Sequence, residues 1–294
     1  MSIVTLWSCD KKTNGQTLSA VAIATKMAIE RNLKILLVST SVNDMTIKRC
    51  FWKTNISKAK MLKNNGGLEV ETGIEGLIRL VYSNKLEPDI ITDYSQPILK
   101  GRFEVLFGFN GSSDNFSNPN MELYSDVYQN YCKILQVANQ YYDMVIVDLD
   151  GRLNLEMKNK ILDISDMNIY ITTQKVSDIE RYIDLKQNNK NLNTYKSTVA
   201  IAKYDDESKY NKKNLAKYLE EKGEVLVIPY NTLYFEAAEE ADVMDLFLKL
   251  SNIKDTTDKN YIFMKEIQRI VNFIMNRLQE LQMRMGWWYW LIYF

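Results

Sequence analysis

Between residues 9 and 17 the chain reads Cys9-Asp10-Lys11-Lys12-Thr13-Asn14-Gly15-Gln16-Thr17, directly before an apolar, small-residue run from Leu18 to Ile29. Far downstream, Asp148 closes a second apolar run, Met144-Val145-Ile146-Val147. A polar loop with one glycine and a threonine at the mouth of a helix is a layout that cradles anions, because the first N–H groups of a helix lack partners within it. A hydroxyl and a carboxylate brought beside that loop are hard oxygen donors of the kind magnesium takes. The phosphate-loop pattern G-x-x-x-x-G-K-[ST] is met here only by Gly15 and Thr17, with Asp10 in place of the first glycine and Gln16 in place of the lysine. Two readings follow from these residues alone: an eroded phosphate cradle, or an ordinary strand-to-helix turn.

The elements that must position these groups alternate along the chain. Ile3–Trp7 is a short β-branched strand, the run from Leu18 a helix, and Lys34–Val38 a continuous apolar strand of the kind covered on both faces. A helix begins near Gly73, and Phe103–Phe109 is a strand that leads into the polar stretch 111–119. Glu122–Asn139 predicts an amphipathic helix with Val127, Tyr131, Ile134, Leu135 and Ala138 on one face. Strands are expected within 142–151, at the end of 161–173 after a helix end and a turn, and over 198–205 and 225–229, separated by helices, with Ser177 the N-cap of the helix after Val176. This alternation predicts an α/β fold: a doubly wound, mostly parallel sheet flanked by helices, with ligand groups at the C-terminal strand ends.

Lys11 through Thr17 resembles the deviant phosphate loop of the MinD/ParA branch of the P-loop NTPases, K-G-G-x-G-K-[ST]. Tyr142-Asp143-Met144-Val145-Ile146-Val147-Asp148 is similar to that family's Walker B strand. The resemblance runs from residue 3 to about 250. It implies a nucleotide site formed by Lys11, Lys12, Asn14, Gly15, Gln16, Thr17 and Leu18, and Mg2+ held near Thr17 and Asp148. It also implies a dimer in which the signature lysine, Lys11, reaches the partner's nucleotide. Four places depart from the family: Lys12 and Thr13 replace its two adjacent glycines, Gln16 replaces the loop lysine, Ser39-Thr40-Ser41 replaces the second strand's V-D-x-D, leaving Asp44 a little further on, and Ala202-Lys203 replaces the adenine-side Asn. The ligand expected is therefore ATP or ADP with Mg2+, or none. The function expected is a degenerate, dimerising localisation scaffold, most similar to the TadZ/CpaE branch that positions pilus or secretion machinery. Its partner would be a second copy or a related ATPase, together with the machinery it places. The alternative is a slow ATPase that positions DNA or protein cargo, with Lys11 standing in for the missing lysine.

Composition narrows the field. The chain of 294 residues has no histidine, which excludes a His triad or a His general base and the usual zinc sites. Cys9, Cys50 and Cys132 are few and widely spaced, as expected of reduced thiols. Lys+Arg and Asp+Glu are both 37, so no global field points to nucleic acid. Lys48–Lys63 carries six basic residues around Phe51 and Trp52; it reads as a solvated segment with two aromatic anchors, the alternative being a nucleic-acid track. Residues 1–255 are read as the P-loop domain and 256–285 as a docking helix with an apolar stripe. In the tail, 286–294, Trp287, Trp288, Tyr289 and Trp290 are suited to a membrane surface or a partner groove, the alternative being a tail folded onto its own domain, and Gly286 is expected to break the helix. A cytoplasmic protein, peripheral at the inner membrane face, is the expectation.

Overall fold

A computed structural model describes residues 1–9, 14–42, 44–53, 73–109, 121–153, 155–219, 221 and 223–293, the side chains of 121–128 and 285–293 excepted. Eight strands form one sheet: β1 (Ser2–Trp7), β2 (Ile35–Ser39), β3 (Gln96–Leu99), β4 (Phe103–Leu106), β5 (Met144–Leu149), β6 (Met167–Thr172), β7 (Ser197–Tyr204) and β8 (Leu226–Pro229). Their order is β3-β4-β2-β5-β1-β6-β7-β8, and every pairing is parallel except β3 with β4. The central strands are buried from end to end, which is why they read as unbroken apolar runs.

Successive side chains on a strand point to opposite faces, so each run feeds two cores. Val4 and Leu6 of β1, Leu37 of β2 and Ile146 of β5 face one layer. That layer holds α1 (Gln16–Glu30), α2 (Thr46–Phe51), α9 (Thr232–Glu240), α10 (Val243–Leu250) and α11 (Lys259–Tyr293). Ile3, Trp7, Val38 and Val147 face the other, beneath α3 (Ile74–Tyr82), α5 (Met121–Ala138), α6 (Leu155–Ile164), α7 (Val176–Asn188) and α8 (Lys212–Tyr218); the one-turn α4 (Ile91–Tyr94) adds Ile91 to this layer. The doubly wound arrangement expected from the alternation is the one observed. Chain order reverses around β1, whose neighbours are β5 and β6, and this opens a crevice at the C-terminal strand ends.

Local differences have physical causes. β3 escapes the sequence pattern because it is a half-exposed edge strand containing Pro97, which an edge tolerates and a sheet interior does not. Ser177 is not the cap of α7: Lys175 occupies that position and Ser177 lies inside the first turn. Gly286 does not interrupt α11, which continues as one helix of 35 residues, because a single glycine lowers helix propensity without ending a helix. On α5, Tyr131, Ile134, Leu135 and Ala138 are buried as expected, and the side chain of Val127 lies outside the described residues. The polar stretch 111–119 and residues 54–63 of the basic segment also lie outside them.

Candidate functional site

Helix α1 starts from Gly15, whose φ of 84° is left-handed. A Cβ there would meet Ala202 and Lys203 at ordinary contact distance, so the backbone angle, not crowding, is what requires glycine. The next two residues turn toward β5. Gln16 Nε2 donates to Asp148 Oδ1 at 2.7 Å and to the Leu149 carbonyl at 2.7 Å, and Thr17 Oγ1 donates to Asp148 Oδ2 at 2.8 Å. Both Asp148 oxygens thus accept from the first turn of α1. Asn14 Oδ1 accepts from Gln16 N at 3.2 Å while its Nδ2 donates to the Ile171 carbonyl, so the side chain takes up one of the N–H groups that an anion would use.

Asp148 is 1% exposed, and this burial pushes its carboxyl up to about 6; the bonds from Gln16 and Thr17 pull down, and Asp44 and Asp150 push up further. Two of the hydroxyls at the end of β2 bind backbone. Thr40 Oγ1 accepts from Asp150 N at 2.8 Å and donates to the Asp148 carbonyl, and Ser39 Oγ accepts from Ser41 N. Carboxylates are nevertheless present, from positions three residues downstream of Ser41 and two beyond Asp148. Asp44 lines the same cavity as Asp148, and so does Asp150, whose carboxylate is held by Arg152 Nε at 2.9 and 3.0 Å. Among the described residues no trio of His, Cys, Asp or Glu side chains is placed to hold a metal. Thr17 and Asp148 remain a paired oxygen donor set of the kind that suits Mg2+ shared with phosphates and water.

The cavity measures about 360 Å³ and is lined by Asn14, Gly15, Gln16, Thr17, Leu18 and Asp148. Its more apolar lining comes from Ala202, Ile228, Pro229, Tyr230, Phe235 and Phe263. Tyr234 closes the floor: its hydroxyl donates to the Leu18 carbonyl at 2.6 Å and its ring stacks on Phe263. Positions 202 and 203 carry no amide side chain, and the amide that lines the cavity from another element is engaged within the protein. Asn231 lines the wall, caps α9 by accepting from Tyr234 N, and donates to Asn260.

No protein-family model matches the sequence, and no characterised relative matches it. Solved structures do. A ParA family ATPase from Chlorobium tepidum TLS superposes with a TM-score of 0.66 at 14% identity, over 92% of this chain and 98% of its own. The septum site-determining protein MinD from Pyrococcus horikoshii OT3, complexed with Mg-ADP, gives 0.61 at 13% identity, over 94% and 99%. A plasmid partition protein from Borrelia burgdorferi B31, bound to AMPPNP, gives 0.59 at 17%, over 97% and 99%. The fold is that of the ParA and MinD ATPases.

Within this ParA/MinD fold, Asn14, Gly15, Gln16, Thr17, Leu18 and Asp148 converge on one cavity. Lys11 and Lys12 lie outside the described residues. Trp287, Trp288, Tyr289 and Trp290 fall on the backbone of α11, and their side chains lie outside the described part. Asp150, Tyr230, Asn231 and Phe235 also line the cavity and are not among the residues expected from the sequence. For Asp150 the signal was available in the Asp148-Leu149-Asp150 spacing; for the other three nothing local separates a cavity wall from a surface turn.

Proposed function

We propose that this protein is a nucleotide-binding protein of the ParA/MinD type whose hydrolytic machinery is degenerate, and that it serves as a dimerising scaffold. One observation carries the reading: the residue in the loop-lysine position is a neutral amide already bonded to Asp148 and Leu149. A transferring phosphoryl group needs a cation where its charge develops, and an amide held inward does not supply one. Thr17 and Asp148 would hold Mg2+ against the phosphates, where the ion would neutralise charge and orient oxygens. Tyr230 and Phe235 would flank the base, and Gly15, Thr17 and Leu18 would offer N–H donors. Lys11 would reach a second copy or a related ATPase. The tail residues Trp287 to Trp290, on a helix whose last buried side chain among those described is Leu281, would dock on a membrane surface or on the machinery being placed, in the manner of a TadZ/CpaE-like protein. Among the described residues no helix is long and apolar enough to cross a membrane.

The test pairs calorimetry with phosphate release. Mg-ADP or Mg-ATP is expected to bind weakly, with turnover at background. Absence of heat and of any thermal shift at millimolar nucleotide would reduce the protein to a scaffold without ligand. The second reading, a slow ATPase, is favoured by Asp44 and Asp150 lining the cavity beside Asp148. Phosphate release above background that disappears in Asp148→Ala would establish it instead.

A further inference from the structure

Three carboxylates, Asp44, Asp148 and Asp150, line the cavity, and among the described residues lining it Lys203 is the one that carries a formal positive charge. Its geometry is unusual. Lys203 has a φ of 53°, in the left-handed region, and the β7–β8 register shifts between Ala202 and Tyr204. That conformation is open to glycine and disfavoured for a long side chain, and a strand bulge of this kind re-aims the residue it contains. The aim is toward the loop: Lys203 Cγ and Cε both lie 3.5 Å from the point a Cβ on Gly15 would occupy. The lysine stem therefore lies across the turn that opens α1, and Nζ extends one bond beyond Cε.

We propose that Lys203 supplies the cation for the phosphate groups of a bound nucleotide, entering from β7 in place of the loop lysine that Gln16 has displaced. The assignment deepens the nucleotide-binding reading and rests on it. A donor from the amide of Gln16 is neutral, whereas an ammonium makes charge-assisted bonds to phosphate oxygens that are about twice as strong. Backbone strain retained at a cavity wall, where glycine would relieve it, fits a side chain kept for what it contacts.

The experiment uses the full chain and three probes: Mg-ADP, inorganic pyrophosphate with Mg2+, and adenosine. Lys203→Met preserves the stem over Gly15 and removes the charge. It is expected to weaken ADP and pyrophosphate by about tenfold or more while leaving adenosine unchanged, and Lys203→Arg is expected to retain most of the binding. Lys203→Gly is expected to raise the melting temperature and still weaken pyrophosphate, opposite signs that a purely structural lysine would not produce. Wild-type affinity for pyrophosphate in Lys203→Met overturns the assignment, as does an equal loss for adenosine. If the wild-type protein binds none of the three probes, the nucleotide reading itself falls, and this assignment falls with it.

Discussion

Replacing Asp148 with asparagine separates the stability of the site from its use. Burial pushes the carboxyl up from its ordinary 3.8 to about 6, which disfavours the ionised form in the fold by about 3 kcal/mol. The sign follows from proton binding. Below 3.8 the acid is protonated in both states and contributes nothing. Between that value and about 6 the unfolded chain ionises first, so the folded state holds more protons and stability falls as pH rises. Above about 6 the full penalty is present. Asp148→Asn imitates the neutral acid: its Oδ1 still accepts from Gln16, and the Thr17 hydroxyl reverses to accept from Nδ2. The variant is therefore expected to be more stable than wild type at pH 8 by up to about 3 kcal/mol. With an unfolding entropy of roughly 2 cal/mol/K per residue, this corresponds to about 5 °C in melting temperature. Thermal unfolding in EDTA at pH 8 and pH 4 measures it, with the gap closing at the lower pH. A variant less stable than wild type at pH 8, or a gap independent of pH, would refute the reasoning. Because the same carboxylate is assigned to Mg2+, the stabilised variant is also expected to lose any thermal shift with Mg-ADP.

Gln16→Lys is expected to tighten Mg-ATP by about tenfold through a charge-assisted contact; unchanged calorimetric affinity would mean that the loop does not face the phosphates. Gly108→Ala should destabilise by about 1–3 kcal/mol, because its Cβ would overlap the Ser41 backbone, which must shift and take the Asp44 turn with it. Urea denaturation reads this directly, and a change within error would show the approach to be looser than described. Ala241 closes α9 at a φ of 63°, so Ala241→Gly should stabilise by about 0.5–1 kcal/mol, visible as a higher urea midpoint.

The sheet's strands were legible wherever they are buried on both faces, since a run such as Ile35–Val38 has no other explanation that fits its length and flanks. Edge strand β3 was not, because pairing on one side leaves its side chains half exposed and its Pro97 reads as a breaker. Strand order was also hidden. That β5 inserts between β1 and β2 follows from crossover connections, and an apolar run carries no record of which neighbour it pairs with. That Gln16 stands where the phosphate-loop pattern has lysine could be read as a residue type. What the replacements do instead could not: Thr40 bridging the end of β5, and Asn14 capping Gln16, depend on where the strands stop.

The sequence by itself therefore determined the alternation of strand and helix, the position of the loop before α1 and the carboxylate after β5, because burial and helix-start chemistry leave local marks. Only the tertiary structure decided that Gln16 and Thr17 close on Asp148 across 132 and 131 residues of chain, and that Lys203 lies over Gly15. Those contacts come from parallel strands ending side by side at the crevice, and proximity created by sheet order is a property of the whole chain that no short stretch of it encodes.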